Sequence, residues 1–214
     1  MKNKRFFRAT CVFVALISVG LGVGYYYGSY YLQEQVPEIT GLLWPGPKQL
    51  QPFATIDMDG KVFGIDELKS HWSFLFFGYT HCPDVCPITL AVLNDVRQRL
   101  AAVGMVDDVQ FIFVTVDPER DTQEQLKQYT GYFNPDLIGL GGNMAQVTSL
   151  TSQLGVVFLY GDKSADGGYI VDHTASVFLT DPMGRIVGIF SAPHSADSIM
   201  GRYLEIRQFV DSQI

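Results

Sequence analysis

Cysteine is scarce in this chain: Cys11, Cys82 and Cys86 are the only three in 214 residues. Cys11 lies inside an apolar run and lacks the small-residue pattern that precedes a lipidated cysteine. One pair of thiols is therefore left to the body, rather than a framework of bridges. Histidine is nearly as sparse, with His71, His81, His173 and His194 as the whole set. Charged residues make up only 17% against 47% hydrophobic ones, which excludes a largely disordered chain. No internal repeat or low-complexity tract is visible.

Positive charge is short in the body. The formal net charge is −7, and Lys2, Lys4, Arg5 and Arg8 contribute +4, so the remainder carries −11 (−7 − 4). An acidic body argues against a nucleic-acid surface and suits, at most, a basic protein partner. Charge of either sign is missing from Ala9 to Gln33, a run of 25 residues where ~20 span a bilayer core. The basic residues ahead of it predict a cytoplasmic amino terminus and an exported body. A cleaved signal peptide is the alternative. No Ala-x-Ala cleavage site is present, however, and Tyr25, Tyr26, Tyr27, Tyr30 and Tyr31 close the run like an interfacial aromatic belt. Gly20, Gly24 and Gly28 recur every fourth residue, a spacing that lets two such helices approach closely, or that is incidental.

The organisation expected is a basic cytoplasmic tail over 1–8, a transmembrane anchor over 9–33, a Pro- and Gly-rich spacer over 34–52, and one domain over 53–214. Within the domain, Phe53–Ile56 and Lys61–Phe63 flank a turn at Asp57-Met58-Asp59-Gly60. Ser73–Tyr79 and Val109–Val116 read as buried strands, each followed by a helix, Pro87–Ala102 and a second from Thr122 to about Tyr132. Leu137–Leu140 reads as a short strand and Asn143–Leu154 as a helix. After a Gly- and Asp-rich loop come strands Ser176–Thr180 and Arg185–Phe190 around Asp181-Pro182-Met183-Gly184, then a helix from Ser195 to Val210. This order predicts an α/β layer sandwich with a mixed sheet.

Cys82 and Cys86, in "FFGYTHCPDVCP", fall at the carboxyl end of a central strand, the edge where open α/β sheets place their chemistry. Residues four apart on a helical turn face one way, and a helix amino terminus favours thiolates. Such a pair can form a structural disulfide, exchange with another disulfide, or hold a soft metal. The five-residue loop is too short for a disulfide to add much stability by loop entropy. A metal needs more donors. His81 reads as a surface or hydrogen-bonding residue, His71 as a solvated loop residue and His194 as a cap of the last helix. His173 opens "DHTASVFL", directly ahead of a strand. It reads either as a satisfied structural residue or as the third ligand. Two thiolates and an imidazole suit copper best, whereas structural zinc wants a fourth ligand.

At these residues the sequence resembles the Sco/SenC family, membrane-anchored copper proteins of thioredoxin-like fold that help assemble cytochrome c oxidase. "LLWPGPKQLQPF", "FFGYTHCPDVCP", "FIFVTVDPERDT" and "GGYIVDHTASVFLTDPMGRIVG" carry the resemblance in order. It implies that Cys82, Cys86 and His173 bind one copper ion. It further implies delivery of copper to, or reduction of the cysteines in, the copper-bearing subunit of the oxidase. Other copper chaperones or thiol reductants would be further partners. The implied location is the bacterial inner membrane, single pass, with the domain in the periplasm and a homodimer through the span as an option. Thiol–disulfide reductase activity at Cys82 and Cys86 is the competing reading. Asp117, Glu119, Arg120 and Asp121 read as a turn and helix start, or as part of the copper rim.

Overall fold

The computed structural model describes residues 47–165 and 167–213, together with Ser18, Gly20 and residues 22–24. The chain divides into two compact units, Met1–Thr40 and Gly41–Ile214. In the first, the described residues are helical and exposed. The tail over 1–8, Cys11, Gly28 and most of the anchor and spacer expected over 9–33 and 34–52 lie outside the described residues. Among the described residues, no helix is long and apolar enough to cross a membrane.

The second unit is built in the order β1 (Lys48–Gln49), β2 (Ala54–Asp57), β3 (Val62–Gly64), α1 (Ile65–Leu68), β4 (Trp72–Gly78), α2 (Val85–Ala102), β5 (Val109–Thr115) and α3 (Gln123–Phe133). It continues with β6 (Ile138–Gly141), α4 (Met144–Leu154), β7 (Phe158–Tyr160), β8 (Val171–His173), β9 (Val177–Thr180), β10 (Arg185–Phe190) and α5 (Ala196–Asp211). Eight strands form one sheet in the order β1-β10-β9-β4-β5-β6-β2-β3. β4, β5 and β6 run parallel, and β9, β10, β1, β2 and β3 complete the sheet by antiparallel pairing. The expected mixed sheet is thus present, with β4 near its middle.

β4 is buried along its whole length because helices cover both faces of the sheet. Its side chains alternate between them. Trp72 and Phe74 pack on Tyr203 of α5 with ring centroids 5.6 and 5.2 Å apart, and Phe74 stacks on Phe111 at 5.0 Å. Leu75 and Phe77 point the other way, into a core with Leu150 and Leu154 of α4. The turn at Asp181–Gly184 forms as its residues require. Gly184 donates to the Asp181 carbonyl at 2.9 Å and sits at φ +71°, where a side chain would be strained.

Three features differ from expectation. Lys48–Gln49, in the segment read as spacer, pair with β10, and Leu50 beside them is buried. The stretch 158–173, read as irregular, forms a separate two-stranded sheet, β7 with β8, that ends on His173. Helix α2 begins at Val85 rather than near Pro87. Pro87 is tolerated because it falls in the first turn, where a backbone N–H has no intrahelical acceptor to lose.

Candidate metal centre

β4 runs out at Gly78, and the chain turns through Tyr79–Asp84 before entering α2. Cys82 lies in that turn, partly buried, and Cys86 lies fully buried in the first turn of α2. Both are free thiols. The Cys86 backbone N–H, one of the orphan donors of a helix start, points at Cys82 Sγ at 3.4 Å. Cys86 needs the glycine ahead of it: a Cβ at Gly78 would stand 2.6 Å from Cys86 Sγ and 2.9 Å from the Phe113 ring.

Asp121 fixes this turn from below. Its carboxylate is almost fully buried and accepts from the Thr80 N–H at 2.9 Å, the Thr80 hydroxyl at 2.6 Å and the Thr115 hydroxyl at 2.5 Å. His81 is exposed and holds Thr80 Oγ1 at 3.1 Å through Nδ1, the hydrogen-bonding role expected of it. Capping of α3 falls to Thr122, which forms a reciprocal box with Gln125.

His173 ends β8 and comes back over the cysteines. One nitrogen of His173 and the two sulfurs lie within 4.8 Å of one another, and Nε2 approaches Cys86 Sγ at 3.3 Å. Nδ1 lies 3.1 Å from the Thr174 carbonyl, which can only accept. This holds a proton on Nδ1 and turns Nε2 toward the sulfurs. The rings of Phe76 and Tyr79 flank the imidazole at steep angles, with centroids 6.1 and 6.0 Å away.

The two thiols are not equivalent. A hydrogen bond from Cys86 pulls the Cys82 thiol down to about 4 against the opposing effect of burial, helped by His173 and by the backbone N–H groups of Asp84 and Cys86. Cys86 moves the other way, raised by its bond to Cys82 and by burial. The helix amino terminus was expected to favour thiolate at both. Instead the buried partner keeps its proton and donates it to the more exposed one, because two thiolates this close repel.

Of the other histidines, His71 bonds the Lys69 carbonyl at 3.0 Å in its loop. His194 does not cap the last helix. Its Nε2 lies 2.7 Å from the Ala175 carbonyl, and Ser195 is the cap. Sequence reasoning missed Tyr79 and Tyr129. The Tyr129 hydroxyl is buried without a hydrogen-bond partner, and burial, then the neighbouring cysteine pair, raise its pKa. Nothing local to Tyr129 signals this, since α3 reaches the site only through tertiary packing.

The donor set fits copper: two soft sulfurs and one oriented imidazole nitrogen, with no further His, Cys, Asp or Glu in the cluster among the described residues. A parallel βαβ unit joined to an antiparallel hairpin, with a Cys-x-x-x-Cys pair at the end of its first strand, defines a thiol-bearing α/β protein of thioredoxin-like class. More narrowly, the chain belongs to the SCO1/SenC family, whose profile matches residues 45–207. The bovine (Bos taurus) protein SCO2 homolog, mitochondrial, is 37% identical over 147 residues, covering 69% of this chain and 55% of the relative's own length. A putative copper-binding protein of Stutzerimonas stutzeri is 35% identical over 158 residues, 74% of this chain and 76% of that one. Among solved structures, Arabidopsis thaliana ScoI with copper bound superposes with a TM-score of 0.70 at 34% identity, covering 74% of this chain and 97% of that one.

Proposed function

We propose that this chain is a copper-binding assembly factor for cytochrome c oxidase, taking one copper ion as cargo on Cys82, Cys86 and His173. The convergence of both sulfurs with His173 Nε2, across 87 residues of sequence, carries this reading. Family membership and copper-bound relatives support the cargo, and the resemblance to the Sco/SenC family supports the oxidase. The thiolates would favour Cu(I), and the imidazole would help accommodate Cu(II). Asp121 holds the cysteine turn and Thr174 orients the ring, so the protein's own contribution is a donor set arranged before the ion arrives. The partner would be the copper-bearing subunit of the oxidase. The 25-residue uncharged run and its basic leader support an inner-membrane anchor with the domain outside the cytoplasm.

Titration of the reduced full chain with Cu(I) and Cu(II) tests the reading. The parent should bind one equivalent of each, and His173→Ala should weaken binding by at least ~100-fold while both cysteines stay titratable. Equal affinity in the two proteins would end the three-ligand assignment.

The unequal thiols favour a second reading, thiol–disulfide reduction. The Cys82 thiolate would attack a substrate disulfide and release one substrate thiolate. Cys86 would then displace the second as its proton leaves, so two electrons pass and a Cys82–Cys86 disulfide remains for an external dithiol to reduce. This route needs no His173, so turnover of a disulfide peptide by copper-free His173→Ala separates the two readings.

A further inference from the structure

The hairpin that carries His173 is not part of the main sheet. Two strands of three residues are too short to hold a position by themselves. Buried Val171 anchors the hairpin to the core, yet an apolar contact is non-directional and leaves its angle free. Orientation has to come from polar contacts: the Tyr79 hydroxyl meets the Val171 backbone, and the others converge on the segment that follows β5.

Tyr160 donates to the Val116 carbonyl at 2.6 Å, and Tyr169 donates to Asp117 Oδ1 at 2.8 Å. Asp117 is fully buried and pairs with Arg120. Arg120 Nη1 donates to the Tyr169 carbonyl at 3.0 Å, and its guanidinium lies 3.5 Å from the Tyr169 ring centroid. The same guanidinium lies 5.5 Å from the ring of Tyr79, which flanks His173 and whose carbonyl accepts from the Cys82 N–H. One residue further along, Asp121 holds the cysteine turn. A single six-residue segment, 116–121, therefore grips both arms of the site, the cysteines through Asp121 and the histidine hairpin through Arg120.

We propose that Arg120, held by Asp117 and locked on Tyr169, is the positioning residue that sets His173 against Cys82 and Cys86. It rests on the three-ligand reading for its consequence in metal binding, but the clamp itself is a property of the metal-free protein. Arginine suits the place because its planar group can stack on one ring and hydrogen-bond in its own plane together; lysine can do neither as well.

The test uses the full chain as Arg120→Ala, Arg120→Lys and Tyr169→Phe, the last removing a single hydroxyl and keeping the ring. In metal-free protein, amide exchange at Val171–His173 should accelerate about tenfold or more in Arg120→Ala, and less in the other two. Protection in β4 and β5 should be retained. Copper affinity should fall ~10–100-fold in Arg120→Ala, the range seen when a ligand's support is removed. Unchanged exchange at β8 in Arg120→Ala and Tyr169→Phe would overturn the proposal. So would equal loss of protection in β4 and β5, which would make Arg120 a general stabiliser. A parent that binds no copper would defeat the metal reading, while the exchange data would still decide the clamp.

Discussion

Cys82 and Cys86 are chemically distinct, and the distinction can be measured directly. With its thiol lowered to about 4, Cys82 is already thiolate throughout the neutral range. Its alkylation by iodoacetamide should stay nearly flat from about pH 9 down to about pH 6, whereas an ordinary thiol near 8.5 slows roughly tenfold per unit below its pKa. Cys86 should remain unreactive over that range. A Cys82 profile bending near 8.5 would show that the hydrogen bond from Cys86 does not form in solution. Gly78 gave no signal of its role in the sequence; its use as the space for the Cys86 sulfur depends on how α2 lies over β4, which no local pattern encodes.

The elements that carried strong local signals formed as read. β4 and β5 are largely apolar and buried, Thr122 and Gln125 box the start of α3, and Asp181–Gly184 turns on its proline and glycine. β7 and β8 were not legible, because Phe158–Tyr160 and Val171–His173 are three residues each and Leu159 remains exposed, so neither gives a period. His173 was legible as a candidate ligand, left open by residue chemistry and implied by the family resemblance. What holds it was not, because Arg120 meets Tyr169 across 49 residues. The turn between β4 and α2 depends in the same way on Asp121. Asp121→Asn leaves one acceptor oxygen for three donors, so stability should drop by about 1–3 kcal/mol by denaturant unfolding. Local amide exchange around Thr80–Cys82 should rise with it. A variant as stable as the parent would remove Asp121 from this role.

At the scale of the whole molecule, an acidic body follows a basic leader and an uncharged run. Under the proposed function, that order fits a tethered domain working at a membrane face on a partner held in the same membrane. After expression in a Gram-negative bacterium, the full chain should stay with the membrane fraction through alkaline carbonate extraction. A variant lacking residues 9–33 should be released. Full extraction of the intact chain would contradict the anchor.

The central claim is that two sulfurs and one imidazole converge on a single ion. X-ray absorption at the copper edge of the loaded full chain tests it most directly. The account predicts two sulfur scatterers and one imidazole nitrogen, with the nitrogen signal lost in His173→Ala. A copper shell containing sulfur alone, or one left unaltered by that substitution, would contradict it.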